Sequence, residues 1–590
     1  MTVITGKDIY NAFNNGAVEI NKNEENLNSM NVFPVPDGDT GSNLVFTINS
    51  ILDYVENKDS LESVVKDMSK GAIAGARGNS GFIFAQFING FYRQVKSKKH
   101  ITEKEFIIYL DKSVPYVIDS IANPVKGTII TMIEKWTDYM IKTYEKEKDF
   151  KNILKSSLNY CNKILKQTTN ELDILKKNGV VDAGAKGFYH FIEGVSKYFI
   201  QGIVSKRKKL SRKTTVNFSH DVINLDKNSF RYCTEFLIYK EKIDKTFLKK
   251  FISNLGDSFI ITVNDDSAKI HIHTNDPDII AKKLFLNGYK IVENKIDNML
   301  LQVKENKKIN KNIALVTDSV ADLDKEILKK YNIHVIPLIL NIEKSEFLDR
   351  LTINSEMFFE FTNNKNIKAK SSTPNLKYVK KLFKELSNKY KEVIYISLSS
   401  KLSGTYRNIL NQTKDINENI TIIDSKKNSG AQGIVVNKAA EYIEKGLSLK
   451  KIKEKIKKDI NSTYIYVAVD NFNSMVKGGR VPNTVGKIGN ILNLKPIISL
   501  NKEGKGIAFG GSFSKSGAID KIYKKLKKAN ENYEIENIII SYSYDKSEAL
   551  KLKKRIKKDL NLKVNSIEKV SSVVAISAGK KALSISFNRR

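Results

Sequence analysis

The chain has 590 residues, more than one hydrophobic core accommodates, which predicts two to four domains. Its formal net charge is +34, but lysines occur along the whole chain and no RNA- or DNA-binding motif accompanies them, so solvated helix faces explain the charge better than nucleic acid does. Two cysteines are too few for a disulfide framework, and no apolar stretch is long enough to cross a bilayer, which predicts a cytoplasmic protein.

The first part of the chain has the periodicity of amphipathic helices. This pattern extends from Ile9 to about Ile203 without a convincing strand, which predicts an all-α domain over residues 1–203. Thr102 and Glu105 have the spacing of a capping box at the start of one of these helices.

Residues 31–44 interrupt the helical pattern with Asn-Val-Phe-Pro-Val-Pro-Asp-Gly-Asp-Thr-Gly-Ser-Asn-Leu. Pro34 and Pro36 exclude a continuous helix, and Asp37 and Asp39 then supply two carboxylates at a spacing that suits Mg²⁺. Short polar residues at the predicted start of the next helix are placed to meet phosphate: Thr40, Ser42 and Asn43. The alternative is an ordinary turn that caps a helix.

A second stretch, Gly75-Ala-Arg-Gly-Asn-Ser-Gly81, contains three glycines that let backbone amides approach an anion closely. Two further pieces follow it, Asn-Pro-Val-Lys-Gly-Thr-Ile-Ile-Thr at 123–131 and Gly-Val-Val-Asp-Ala-Gly-Ala-Lys-Gly at 179–187. In this order, the four motifs resemble the nucleotide-binding L domain of the dihydroxyacetone kinase family, in its fatty acid kinase branch.

The resemblance implies a helical barrel that binds ATP and Mg²⁺ at one mouth, with Asp37 and Asp39 as metal ligands and catalytic residues. It also implies a set of nucleotide contacts: Thr40, Ser42, Asn43, Gly78, Asn79, Ser80, Gly81, Thr128, Asp182 and Gly184. For Asp182 the alternative is a helix cap. Lys126 and Val32 stand where the family has acids, so the number of bound metal ions stays open.

A basic segment, residues 205–213, is predicted to link the helical domain to a small α+β domain over residues 214–303. His271 and His273 lie two apart on a predicted strand, so both point to one face. Cys233, on another predicted strand, offers a thiolate. Spacing alone favours two surface histidines and a buried cysteine over a metal site.

Two segments of this domain, Tyr-Cys-Thr-Glu-Phe at 232–236 and His-Ile-His-Thr-Asn-Asp-Pro at 271–277, resemble the middle domain of fatty acid kinases. In that family a cysteine and two histidines bind zinc, which implies Cys233, His271 and His273 as Zn²⁺ ligands. The fourth ligand and the role of the metal stay open.

After a second basic connector, residues 304–311, strands and helices alternate and predict an α/β domain over residues 312–590. Strands are predicted at 313–319, 335–340, 393–397 and 420–424, and helices at 378–386 and from Gly433 onward.

Three loops of this α/β domain contain hydroxyls and a guanidinium that suit a carboxylate: 371–374, 399–406 and 477–481. Together with segments 424–433 and 486–498, they resemble the DegV family of fatty-acid-binding proteins. The resemblance implies four head-group ligands: Thr373, Ser400, Ser403 and Arg480. DegV proteins usually have a histidine near the C-terminus, but residues 573–581 contain none, so either Lys580 replaces it or the pocket has lost its ligand.

Together, the resemblances imply an ATP-dependent kinase, fused to an acyl-binding module, that phosphorylates the carboxylate of a bound fatty acid to an acyl phosphate. Two alternatives remain: phosphorylation of a small triose or polyol, as in dihydroxyacetone kinases, or a lipid-binding or regulatory protein with a vestigial kinase half. Fatty acid is the expected partner. A homodimer and contact with a membrane surface or an acyl-phosphate acceptor stay open.

Overall fold

The structure is a computed structural model, and it describes residues 3–33, 38–121, 124–207, 230–264, 266–299, 312–363, 367–416, 419–471, 475–476, 480 and 494–590. These residues group into two compact units. One comprises Met1–Pro277 with Gly288–Lys308, and the other comprises Asp278–Asn287 with Ile309–Arg590. Among the helices of these ranges, none combines the length and apolar character that a membrane crossing requires.

The first unit begins with a helical domain, as the sequence predicts. Its helices are α1 (Gly6–Lys22), α2 (Glu24–Ser29), α3 (Thr40–Asp53), α4 (Leu61–Gly75), α5 (Gly78–Val95), α6 (Glu103–Asp111), α7 (Val114–Asp119), α8 (Ile129–Lys146), α9 (Phe150–Glu171), α10 (Asp173–Asn178) and α11 (Ala183–Gln201). The domain also contains a two-residue antiparallel pair, β1 (Val3–Ile4) with β2 (Ile101–Thr102), which the sequence pattern does not indicate.

Apolar spacing explains how these helices pack. The predicted core faces of α3 and α4 are buried, including Leu44 and Ile48 of α3 and Val65 and Met68 of α4. The predicted capping box is present, because the Thr102 N–H donates to the Glu105 carboxylate at 2.9 Å and the Glu105 N–H donates back to the Thr102 hydroxyl at 3.2 Å.

The rest of the first unit is an antiparallel sheet. Its strands are β3 (Tyr232–Tyr239), β4 (Asp257–Val263), β5 (Ser267–Thr274) and β6 (Lys290–Asn298), in the order β4-β5-β3-β6. Helix α12 (Lys245–Ile252) precedes β4, and α13 (Pro277–Leu286) follows β5. The sheet packs against the helical domain: Ile260 joins the helical core, and the Ile261 N–H donates to the Ser120 carbonyl at 3.1 Å.

The second unit has α/β architecture. Its remaining helices are α14 (Lys325–Tyr331), α15 (Ser355–Phe361), α16 (Leu376–Lys389), α17 (Thr405–Thr413), α18 (Ser429–Glu444), α19 (Leu449–Ser462), α20 (Lys515–Asn532), α21 (Ser547–Leu560) and α22 (Ser572–Ala578). Its strands are β7 (Ile313–Asp318), β8 (His334–Ile336), β9 (Ile339–Ile342), β10 (Ser345–Leu348), β11 (Ala369–Ser372), β12 (Glu392–Ser397), β13 (Ile420–Asp424), β14 (Thr463–Ala468), β15 (Lys495–Leu500), β16 (Gly506–Ser512), β17 (Ile535–Tyr542), β18 (Ser566–Lys569) and β19 (Leu583–Arg589).

These strands form three sheets. A parallel sheet has the order β13-β12-β7-β8, a mixed sheet has the order β16-β15-β14-β19-β17-β18, and a small antiparallel sheet has the order β10-β9-β11. The prediction of one strand over 335–340 is wrong. The chain instead forms β8 and β9 in two different sheets, because Pro337 between them lacks the N–H that a continuous ladder requires.

Candidate functional site

The glycine-rich loop lies against the start of α3. Gly78 has a positive φ of 57°, and a Cβ at this position would overlap the Asn43 side-chain amide, so only glycine fits. The loop is tied to the same helix by the Arg77 N–H, which donates to the Thr47 hydroxyl at 3.2 Å. Two of the sequence motifs therefore meet at the N-terminal ends of α3 and α5.

The 179–187 motif also reaches this place. A Cβ on Gly184 would lie 2.6 Å from the Ser80 hydroxyl oxygen, so the two motifs are in close contact. Asn79, between Gly78 and Ser80, has a buried side-chain oxygen with no hydrogen-bond partner among the described residues. A buried unpaired oxygen costs free energy, which makes this atom a candidate ligand contact.

Asp182 joins two helix starts. It is the N-cap of α11, where its carboxylate accepts from the Ala185 N–H at 2.7 Å, and it also accepts from the Ile129 N–H at the start of α8. Burial raises its pKa to about 6, although these hydrogen bonds oppose that shift. Thr128 caps α8 directly before Ile129. The geometry matches the helix-cap interpretation of Asp182 and places it beside Gly184 at the rim of the site.

The acidic part of the site is described in part. Asp37 lies outside the described residues. Asp39 precedes α3 but makes no side-chain cap to it. The two hydroxyls that follow have partners within the protein: Thr40 donates to the Asn31 side-chain oxygen at 2.6 Å, and Ser42 donates to Glu24 at 2.7 Å.

Cys233, His271 and His273 come together on neighbouring strands of the middle sheet. Their candidate ligand atoms all lie within 4.8 Å of one another. The expectation of surface histidines from spacing alone is wrong for His271, which is 2% exposed. Neither of its ring nitrogens has a hydrogen-bond partner among the described residues, and a metal ligand would resolve that deficit.

Neighbouring groups fit a metal at this cluster. Asp257 lies with its Oδ1 3.2 Å from Nδ1 of His273, the kind of carboxylate that orients a metal-bound imidazole. Burial raises the pKa of the Cys233 thiol, and a bound cation would reverse that shift by favouring the thiolate. The fourth ligand stays unassigned.

The second unit contains a cavity of about 390 Å³, within the range of small-molecule sites. Apolar side chains from several elements form most of its lining: Val320, Leu338, Leu398, Ile465, Val467, Ile498, Val570, Val573, Val574 and Leu583. Of the four predicted head-group ligands, Thr373, Ser403 and Arg480 line the cavity. Ser400 is not among the lining residues, and its backbone N–H donates to Asp424 at 3.2 Å.

Other polar groups near the predicted head-group set differ from the sequence expectation. Ser371 and Ser372 also line the cavity, although the resemblance points only to Thr373 in their loop. Lys580 does not line it: its ammonium lies 4.1 Å from the centre of the Tyr544 ring, so it does not replace the missing histidine. Residues 477–479, which precede Arg480, lie outside the described ranges.

The fold and these sites define a multidomain protein with a helical domain built around glycine-rich loops, a small Cys/His domain and an α/β domain with an apolar cavity. Three family models match the chain in the same order: the DAK2 domain over residues 34–197, the fatty acid kinase-like middle domain over 229–306, and the uncharacterised DegV family over 312–590. The chain thus combines a DAK2 domain, a fatty acid kinase-like middle domain and a DegV domain, an architecture that fits a fatty acid kinase fusion.

Curated relatives of the chain are uncharacterized proteins. One from Staphylococcus haemolyticus is 32% identical over 315 residues, which cover 51% of this chain and 56% of the relative. One from Staphylococcus epidermidis is 31% identical over 357 residues, which cover 55% of this chain and 63% of the relative. The chain therefore aligns with little more than half the length of these proteins.

Solved structures similar to the chain include DegV, a fatty acid binding protein from Bacillus subtilis, with 26% identity and a TM-score of 0.44, covering 48% of this chain and 100% of that one. A fatty acid binding DegV family protein from Streptococcus agalactiae has 25% identity and a TM-score of 0.44, covering 47% of this chain and 99% of that one.

Proposed function

We propose that the protein is an ATP-dependent fatty acid kinase that carries its acyl-binding module in the same chain. The observation that carries this proposal is the succession of DAK2, fatty acid kinase-like and DegV domains, with the DegV domain enclosing an apolar cavity that has hydroxyls and Arg480 in its lining. The kinase-like domains call for a phosphate acceptor, and the cavity suits an apolar chain with an anionic head group.

The proposed reaction needs no general base. A fatty acid carboxylate is already ionised at neutral pH, so one of its oxygens attacks the γ-phosphorus directly. The bond from that phosphorus to the β,γ-bridging oxygen breaks, the electron pair leaves with ADP, and the product is an acyl phosphate. Phosphoryl transfer then depends mainly on positioning and charge neutralisation.

The chain's own residues supply these two functions. Asp37 and Asp39 are the proposed ligands for Mg²⁺, which would neutralise phosphate charge. The amides of the loop around Gly78 and Gly81, and the side chains of Asn43 and Asn79, hold the phosphates in our proposal. The remaining members of the proposed nucleotide set are Thr40, Ser42, Ser80, Thr128, Asp182 and Gly184.

In the DegV domain we propose that Thr373, Ser403 and Arg480 bind the fatty acid carboxylate. Ser400 keeps only an indirect place, because its side chain is not part of the cavity lining. Cys233, His271 and His273 are the proposed Zn²⁺ ligands. The two free cysteines are compatible with a reducing cytoplasm, which is our proposed location.

The test is ATP turnover by the full chain with and without oleate, with hydroxylamine trapping of the acyl phosphate. Oleate-dependent ADP release with a trapped acyl product supports the proposal. Turnover that requires dihydroxyacetone instead identifies a small-molecule kinase.

The second candidate function is a lipid-binding or regulatory protein with a vestigial kinase half. It is favoured by Lys126 and Val32, which replace expected acids, and it predicts bound lipid without turnover.

A further inference from the structure

The glycine-rich loop and the Cys/His cluster are connected by buried charged side chains. Lys269 is 4% exposed and lies on β5, two residues before His271. Its ammonium donates to the Ala74 carbonyl at 3.2 Å, in the last turn of α4 and directly before the glycine-rich loop. Carbonyls in the last turn of a helix lack intrahelical partners, and a cation there also interacts favourably with the helix dipole.

Glu235 lies on the other side of this lysine. It is 4% exposed, and its carboxylate is 3.9 Å from the Lys269 ammonium and 3.7 Å from Nδ1 of His271. Burial alone would raise the pKa of Glu235, but the charges of Lys295, Lys269 and His271 outweigh burial and lower it. The carboxylate is therefore ionised and shared between the lysine and the histidine.

The first turn of α5 contacts the same cluster. Phe82, one residue after the loop ends, has its ring centroid 5.4 Å from that of His271. Arg77, inside the loop, is buried, which lowers its pKa, while the charge of Glu235 opposes that shift. The loop thus faces the cluster through a polar path and through an aromatic contact.

We propose that Lys269 is a positioning residue that holds the glycine-rich loop in its binding conformation, and that Glu235 couples this lysine to the Cys233–His271–His273 cluster. The sharing of one carboxylate is the physical basis. A metal-bound imidazole has a defined tautomer and orientation, which fixes what it offers to Glu235 and so where Glu235 holds Lys269. Only the identity of the ligand at the loop rests on the proposed function.

The Lys269 stem contributes to packing, so the informative substitution removes the charge and keeps the length. Lys269→Met does this, and Lys290→Met, at an exposed lysine of the same sheet, is the matched control. Because a buried carboxylate left without its partner destabilises a protein, the double variant Glu235→Gln/Lys269→Met removes both charges at once. It keeps the test valid if the single variant does not fold.

The primary measurement is amide hydrogen exchange of residues 74–82 in the full chain, without nucleotide or fatty acid. We expect exchange in Lys269→Met, or in the double variant, to be about tenfold faster than in the wild type, the change that corresponds to losing about 1.4 kcal/mol of local stability. Lys290→Met should match the wild type. Unchanged exchange in both folded variants overturns the proposal.

The coupling to the cluster is tested by removing zinc with a chelator. In the wild type, chelation should speed exchange in the loop, and in Lys269→Met it should add nothing further in that segment. Equal chelation effects in the two proteins, or none in a zinc-loaded wild type, overturn the coupling. Mg·ATP affinity should fall at least about fivefold in Lys269→Met, the lower end of typical coupling energies. A protein without kinase activity leaves the exchange results intact, so the two proposals fail separately.

Discussion

Asp39 is the described member of the acidic pair that precedes α3. Asp39→Asn keeps the size and removes the anionic ligand, so we expect turnover to fall at least about 100-fold, as loss of several kcal/mol of metal-dependent stabilisation requires. Asp37→Asn should behave in the same way. The measurement is oleate-dependent ATP turnover, with far-UV circular dichroism to confirm the fold.

Asp138→Asn is the control for both substitutions, since Asp138 is a partly exposed carboxylate that pairs with Lys142 on α8. Wild-type turnover in Asp39→Asn and Asp37→Asn would remove the metal assignment.

The Cys/His cluster predicts about one zinc per chain, since three protein ligands with a buried imidazole suit a tetrahedral ion. Cys233→Ser and His271→Ala should each release the metal. Elemental analysis of the purified full chain measures this directly. His100→Ala, at an exposed histidine of the helical domain, should keep the zinc. A wild-type protein purified without chelators that contains no zinc contradicts the assignment.

Arg480 is the permanently charged member of the proposed head-group set, and Thr373 and Ser403 offer only neutral donors. Removing a charged partner from a partly desolvated carboxylate costs on the order of 2–5 kcal/mol. Arg480→Ala should therefore lose co-purified fatty acid while retaining ATP binding, as mass spectrometry of extracted lipid would detect. Arg407→Ala, at an exposed arginine on α17, is the control. Full retention of fatty acid in Arg480→Ala would show that the head group binds elsewhere.

Residue-level chemistry is visible in the sequence where it lies in one short motif. Hydroxyl-rich loops point to Ser403 and Thr373, and family resemblance points to Cys233, His271 and His273. The same loop pattern points to Ser400, yet its side chain falls outside the cavity lining. Adjacent residues of a loop point in different directions, and the sequence does not specify those directions.

At the scale of elements, Asp182 connects the starts of α8 and α11. Asp182→Ala removes an N-cap and should cost about 1–2 kcal/mol of stability. Asp182→Asn keeps an oxygen that can cap α11 and should cost less. Differential scanning calorimetry of the full chain measures both effects, and equal transition temperatures for the alanine variant and the wild type would contradict the capping role.

The same carboxylate predicts a pH dependence. The ordinary pKa of the group is 3.8, and in the folded protein it is about 6. Between these values the folded state binds more protons than the unfolded state, so this group makes the protein less stable as pH rises from about 4 to about 6. The transition temperature of the wild type relative to Asp182→Asn should be higher at pH 5 than at pH 7. An identical difference at both values would show that Asp182 does not titrate there.

Periodicity predicts the long helices well because each has a continuous apolar face, as in α3 and α4. It fails at 335–340, where Pro337 divides an apolar run between two sheets, and at β1 and β2, which are too short to show alternation. The contact of Lys269 with Ala74 spans 195 residues and joins two domains. No local pattern predicts such a pairing, because it depends on how the sheet packs against the helices.

At the scale of the whole molecule, the order of domains is itself a functional argument. A kinase that acts on an apolar acid needs that substrate delivered in a shielded form, and a cavity in the same chain makes delivery intramolecular. An intramolecular encounter has an effective concentration set by the connection, independent of how dilute the protein is. Oleate-dependent turnover per chain should therefore stay constant on dilution.

Two full-length variants test this directly. Asp39→Asn keeps the acyl cavity and loses metal binding, whereas Arg480→Ala keeps the kinase half and loses the head-group ligand. If transfer occurs within one chain, an equimolar mixture recovers turnover only through encounters between chains, so its rate per chain should fall in proportion to dilution while the wild-type rate does not. Measuring both at several concentrations with saturating ATP separates the cases. A wild-type rate that falls like that of the mixture would show that the kinase takes its acyl substrate from another chain, and that this DegV domain serves docking or regulation.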